Sequence, residues 1–141
     1  GFVIYSDGRF KKNLNEDVPG LAFILQLKPV TYNYDIHGLN KHLGISNAAR
    51  QENEGAVNAK EKIKYSGFVA QDVEAAAKKI NYDFSGLYKP QNEQDAYGLS
   101  YEDFVVPLVK SIQELQAENE ALKKKLDDLS ERFDEQNKTT H

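Results

Sequence analysis

From Tyr101 to Phe133, residues that suit a buried seam recur in alternating steps of four and three: Tyr101, Val105, Leu108, Ile112, Leu115, Asn119, Leu122, Leu126, Leu129 and Phe133. A series of this kind, sustained over more than four heptads, belongs to a helix that coils around other helices. Such a helix cannot bury its own stripe, so the chain needs partners before any chemistry is considered. Asn119 occupies an a position, where an amide fixes register at some cost in stability. Glu118 at g and Lys123 at the following e position could pair between parallel chains, worth about 0.2–1 kcal/mol. Ile, Asn, Leu and Phe at a with Leu at d is compatible with two strands or with three. Ser100 is placed to cap the helix, with Asp103 three residues on. Pro107 removes one backbone bond and predicts a kink where the globular part ends. The alternative is that the turn before it packs on the globular part and the proline is tolerated without bending.

Charge excludes some functions. Of 141 residues, 18 are basic and 22 acidic, for a net charge of −4. Residues 1–100 balance to zero, and the acidic excess lies in residues 101–141. Nucleic-acid binding would need a basic patch or stripe. Lys123-Lys124-Lys125 is instead read as a solvated outer face beside acidic neighbours, and residues 89–111 supply no basic helix leading into the coil. No apolar run reaches the roughly 18 residues that a membrane span needs. Cysteine is absent, which excludes disulfides and thiolate metal sites. Methionine is absent too, so the chain is expected to be a fragment from inside a longer protein. His37 and His42 stand in a polar stretch without a third ligand, so no metal site and no cofactor is expected.

Upstream of the coil the patterns are short. Asp17 is read as a helix cap with Pro19 in the first turn, followed by Val18, Leu21, Ile24 and Leu25 on one face. Val30, Tyr32, Tyr34 and Ile36 alternate with polar residues as in a half-buried strand. Residues 37–62 read as a long polar loop with at most a short helix. Residues 65–69 form a short strand, and Val73, Ala76, Ala77 and Ile80 give the next helix its buried face. Two further strands are expected at 82–88 and 96–99.

Four segments, taken together, resemble a known family. They are Ser6-Asp7-Gly8-Arg9-Phe10-Lys11-Lys12-Asn13-Leu14, Leu27-Lys28-Pro29-Val30-Thr31-Tyr32-Asn33-Tyr34, Gly67-Phe68-Val69-Ala70-Gln71-Asp72-Val73-Glu74, and Tyr97-Gly98-Leu99-Ser100-Tyr101 running on to Ile112-Gln113-Glu114-Leu115. The set is similar to the intramolecular chaperone auto-processing domain that ends phage endosialidases, other tail spikes and fibres, and the myelin regulatory factors. The resemblance implies a homotrimer that helps an upstream stalk or fibre domain of the same polypeptide to assemble. It also implies self-cleavage at the bond Tyr5–Ser6, with Ser6 as nucleophile and Lys11 as base. Asp7, Gly8 and Arg9 would support the site. The alternative is a trimerisation cap that does not cut.

The chemistry sets conditions on that reading. A serine hydroxyl needs a base, and lysine serves only when its amine is neutral, which burial or nearby positive charge favours. Arg9 and Lys12 flank Lys11 and would act in that direction. Five extended residues span about 16 Å, so the chain must turn back between Ser6 and Lys11. Asp7-Gly8 supplies a turn sequence. Gln71 and Glu74 are expected to cap a helix or to bond between subunits.

The expected fold is α+β, a small globular domain of short strands and helices followed by a long C-terminal helix in a trimeric coiled coil. The expected boundaries are a remnant of the stalk at 1–5, the auto-processing domain at 6–100, the coil at 101–135 and a disordered tail at 136–141. The expected setting is a tail fibre or spike of a phage or prophage, with the released domain soluble in the host cytoplasm. No nucleic-acid or membrane partner is expected.

Overall fold

The computed structural model describes residues 2–139 and is α+β, as the patterns predict. Its core is aromatic. Phe23 is fully buried, with the rings of Tyr82 and Phe84 each 5.1 Å away and Phe104 at 6.3 Å. Phe23 sits in helix α1 (Leu21–Ile24) and Phe104 in a 3-10 turn, Tyr101–Phe104. Val73, Ala76 and Ala77 line the buried face of α5 (Ala70–Lys79) and close the cluster. Small side chains on α5 let a helix approach a nest of rings closely, which a core of this size needs to reach normal packing density.

Strands β1 (Val30–Tyr32) and β2 (Tyr65–Gly67) pair antiparallel, with Val30 opposite Gly67 and Tyr32 opposite Tyr65. The polar stretch between them is not a loop. It folds as α2 (Ile36–His42), α3 (Asn47–Glu52) and α4 (Glu54–Glu61). Side-chain caps start two of these helices: Asp35 accepts from Gly38 N at 2.9 Å, and Ser46 accepts from Ala49 N at 3.2 Å. Asn33 then ties the base of the insertion, donating to the carbonyls of Glu61 and Ile63 at 3.1 and 2.9 Å. The two later strands shrink to β3 (Leu87–Tyr88) and β4 (Gly98–Leu99), paired antiparallel.

Helix α1 begins later than expected. Its N-cap is Gly20, so Asp17 does not cap it and Pro19 lies before it. The acceptor comes from far away in sequence: Glu114 Oε1 takes the Leu21 N–H at 2.8 Å. Glu114 belongs to α6 (Val105–Thr139), so this bond fastens the long helix to the body.

Ser100 precedes the 3-10 turn without capping it by its side chain, and its hydroxyl bonds Asp103 at 3.1 Å instead. Pro107 is fully buried in the first turn of α6, and the helix is continuous through it. The first N–H groups of a helix have no intrahelical partner, so proline costs little there. The globular contact also runs beyond it, to Ser111 and Glu114. The helix continues past the boundary expected at 135, through Thr139. Gly1, Thr140 and His141, which belong to the stalk remnant and the tail in the sequence reading, lie outside the described residues.

Candidate active site and assembly seam

Ser6 and Lys11 meet. A short 3-10 turn, Gly8–Phe10, reverses the chain between them. Asp7 starts that turn, its carboxylate accepting from Arg9 N at 2.9 Å while its carbonyl accepts from Phe10 N at 3.0 Å. Lys11 N closes on Gly8 O at 3.2 Å, and Lys11 Nζ then donates to Ser6 Oγ at 2.7 Å. The five-residue span therefore collapses to hydrogen-bond distance, as proton transfer requires.

Asp7 and Arg9 form a surface ion pair, with Arg9 NH2 2.7 Å from Asp7 Oδ2 and Nε also donating. The guanidinium holds the Asp7 carboxyl below its usual range, first through the side-chain bonds and then through the Arg9 N–H. Residues 2–17 are all exposed, Tyr5 fully so. The side-chain hydrogen bonds of residues 6–15 all close within that segment among the described residues. The serine–lysine pair is thus formed by local turn geometry and stands in solvent.

The other three recognised segments converge elsewhere. Tyr101 OH accepts from Phe68 N at 3.0 Å, and the two rings stack with centroids 6.0 Å apart. Gly67 lies beneath them, where a Cβ would strike the Tyr101 hydroxyl and come within 3.2 Å of the Tyr32 ring. Tyr32, Tyr34 and Tyr65 cluster beside it with centroids 5.1–5.9 Å apart, Tyr32 stacked on Tyr65 and Tyr34 edge-on to both. Glycine at 67 and tyrosine at 101 are therefore steric partners, a pairing invisible until β2 and the 3-10 turn are brought together.

Gln71 does not cap α5, whose N-cap is Val69 without a side-chain bond. Glu74 ties α5 to the β3–β4 region. It accepts from Lys78 at 3.1 Å and Tyr97 OH at 3.4 Å and lies 3.6 Å from Lys89 Nζ; the two lysines, Lys78 first, hold its carboxyl below its usual range. His37 bonds Asn58 at 2.8 Å, and His42 bonds the carbonyl of Asp95 at 2.8 Å, so the two imidazoles brace different joints. No group of three metal-binding side chains converges among the described residues.

The heptad positions share one face of α6, and the single chain leaves that face open. Leu108, Ile112, Leu115, Leu122, Leu126, Leu129 and Phe133 are 44–67% exposed, and Asn119 is exposed among them. The stripe that docks on the body is Phe104, Pro107, Ser111 and Glu114, one residue out of phase with the seam. One helix therefore carries a docked stripe and a separate, open apolar face.

A family described as chaperone of endosialidase, classed among peptidases, matches residues 6–82. No curated protein and no solved structure matches the chain.

Proposed function

The chain belongs to the endosialidase-chaperone family, and from that premise we propose that it trimerises, guides the folding of an upstream fibre or spike segment, and then severs itself at Tyr5–Ser6. The observation that carries the cleavage is the 2.7 Å bond from Lys11 Nζ to Ser6 Oγ. Ser6 Oγ, giving its proton to the Lys11 amine, attacks the Tyr5 carbonyl carbon. The peptide C–N bond breaks as the ester C–O bond forms, the proton passes to the Ser6 nitrogen, and water hydrolyses the ester. Asp7, Gly8 and Arg9 shape the turn that holds the pair. The exposed seam of α6 supports self-association, since a contiguous apolar stripe of this length is not left in water. Three is the number that the family resemblance implies. The setting is a tail fibre or spike, with the cleaved domain free in the host cytoplasm.

A second reading, a trimerisation cap that does not cut, draws on the solvent exposure of the pair. A lysine gains a neutral amine through burial or nearby positive charge. The two readings part on one experiment: the chain is produced with a longer upstream segment, alongside its Ser6→Ala variant, and the fragment masses are compared. A fragment beginning at Ser6 in the unmutated protein alone supports cleavage. Intact chains in both leave the cap.

A further inference from the structure

A second apolar face opens near the start of α6. Val106 and Val109 are half exposed and lie on the b and e edge of the heptads, opposite the edge that docks on the body. With Val18 and Val105 they line a groove of about 470 Å³, rimmed by Glu16 and Lys110. Beyond this point the same edge turns polar, at Gln113 and Gln116. Its apolar character is thus local, and a coiled coil would not require it.

The N-terminal arm carries the matching residues. Phe10 and Leu14 are at least three-quarters exposed. Leu14 adjoins the groove in sequence but does not enter it. Asn13 takes a left-handed conformation (φ 55°), and Asn15 Nδ2 donates to the Asn13 carbonyl at 3.2 Å. That conformation is uncommon outside glycine, and asparagine tolerates it best. The braced turn stands between the arm and the groove-lining residues Asn15, Glu16 and Val18. Val105 belongs to both groove and seam, so a chain held at the seam brings its neighbour's arm alongside.

We propose that the groove of Val18, Val105, Val106 and Val109 receives Phe10 and Leu14 from the arm of a second copy of this chain. This rests on the self-association reading above and adds the partner of the cleavage segment. The arm that holds Ser6 and Lys11 leaves solvent only when it crosses to a neighbour.

The chain has no cysteine, so an engineered pair reports without background. Leu14→Cys and Val109→Cys are introduced together and singly into the full chain, with Ser6→Ala to keep the Tyr5–Ser6 bond intact. Mild oxidation should give cross-linked multimers from the double variant and not from either single one. Cross-links only within one chain, or none while sedimentation still shows an oligomer, overturn the arm exchange and leave the seam intact. A monomer in sedimentation overturns both. As a second measure, Val109→Asp should leave the oligomer in place and speed tryptic cutting at Arg9, Lys11 and Lys12; an unchanged cutting rate also overturns the exchange.

Discussion

Lys11 Nζ and Ser6 Oγ are 2.7 Å apart across a turn that Asp7 caps. The contact needs nothing from the globular body. It is a local product of residues 6–11: the family resemblance implies the pair, and the turn sequence Asp7-Gly8 supplies the reversal that it needs.

Lys11→Arg keeps the positive charge but removes any accessible neutral form. Self-cleavage should fall by about 10²–10⁴-fold, the usual worth of a general base. Intact mass over a time course after refolding checks this. A variant that cuts at the unmutated rate would remove Lys11 from the mechanism while leaving the chaperone role in place.

Gly20 is the point where α1 meets α6. A Cβ there would strike Glu114 Oε1 and come within 2.9 Å of the Ser111 backbone nitrogen, which cannot swing aside. Gly20→Ala should therefore cost about 1–3 kcal/mol, as overpacking does. Glu114→Ala should cost a similar amount by orphaning the Leu21 N–H, about 1–3 kcal/mol. Glu114→Gln, which keeps an acceptor oxygen, should cost less than the alanine. Urea midpoints of the three variants give the order.

Alkaline pH should weaken the tyrosine cluster. The Tyr32 phenol is pushed up to about 12, first by its hydrogen bond to Tyr34, then by burial and by the charges Tyr34 and Tyr101 would carry. Tyr82, raised by burial, and Tyr88, raised by its bond to Asp95, act with the same sign. An unfolded tyrosine ionises near 10.0, so the unfolded chain loses the proton first. Stability is full below that pH and erodes as pH rises to about 12. Tyr32→Phe should flatten part of the decline. Urea unfolding across this range measures it, and an unchanged slope would count against the cluster.

The seam makes two opposite predictions. Leu122→Lys puts a charge at a d position and should dissociate the assembly while near-UV circular dichroism of the body is kept, since the core lies upstream of it. Asn119→Ile should raise the stability of the coil and loosen its choice of strand number. Sedimentation equilibrium reads both.

The parts legible in the sequence were those governed by neighbours in the chain. The heptads of α6, the buried face of α5 at Val73, Ala76 and Ala77, and the turn at Asp7-Gly8 each carry their own period or dipeptide. The parts missed are set by distant partners. The start of α1 was misplaced because its acceptor, Glu114, lies far along the chain from Leu21. The insertion of α2, α3 and α4 was read as a loop because little of it is apolar. Val57 is its one buried residue among the described positions, and caps and cross-links such as Asp35, Ser46 and Asn33 do the rest. Pro107 does not mark the end of the globular part, because the contacts that carry the body on to Ser111 and Glu114 come from residues far away in sequence.

The one-residue offset between the docking stripe and the seam sets an azimuth. In the proposed bundle each body would point outward from the axis at an angle that this offset sets. Inserting one residue after Leu115 would swing the bodies by about 100° relative to the downstream bundle. Whatever the bodies grip upstream would then be presented on the wrong bearing, with every individual contact still chemically sound.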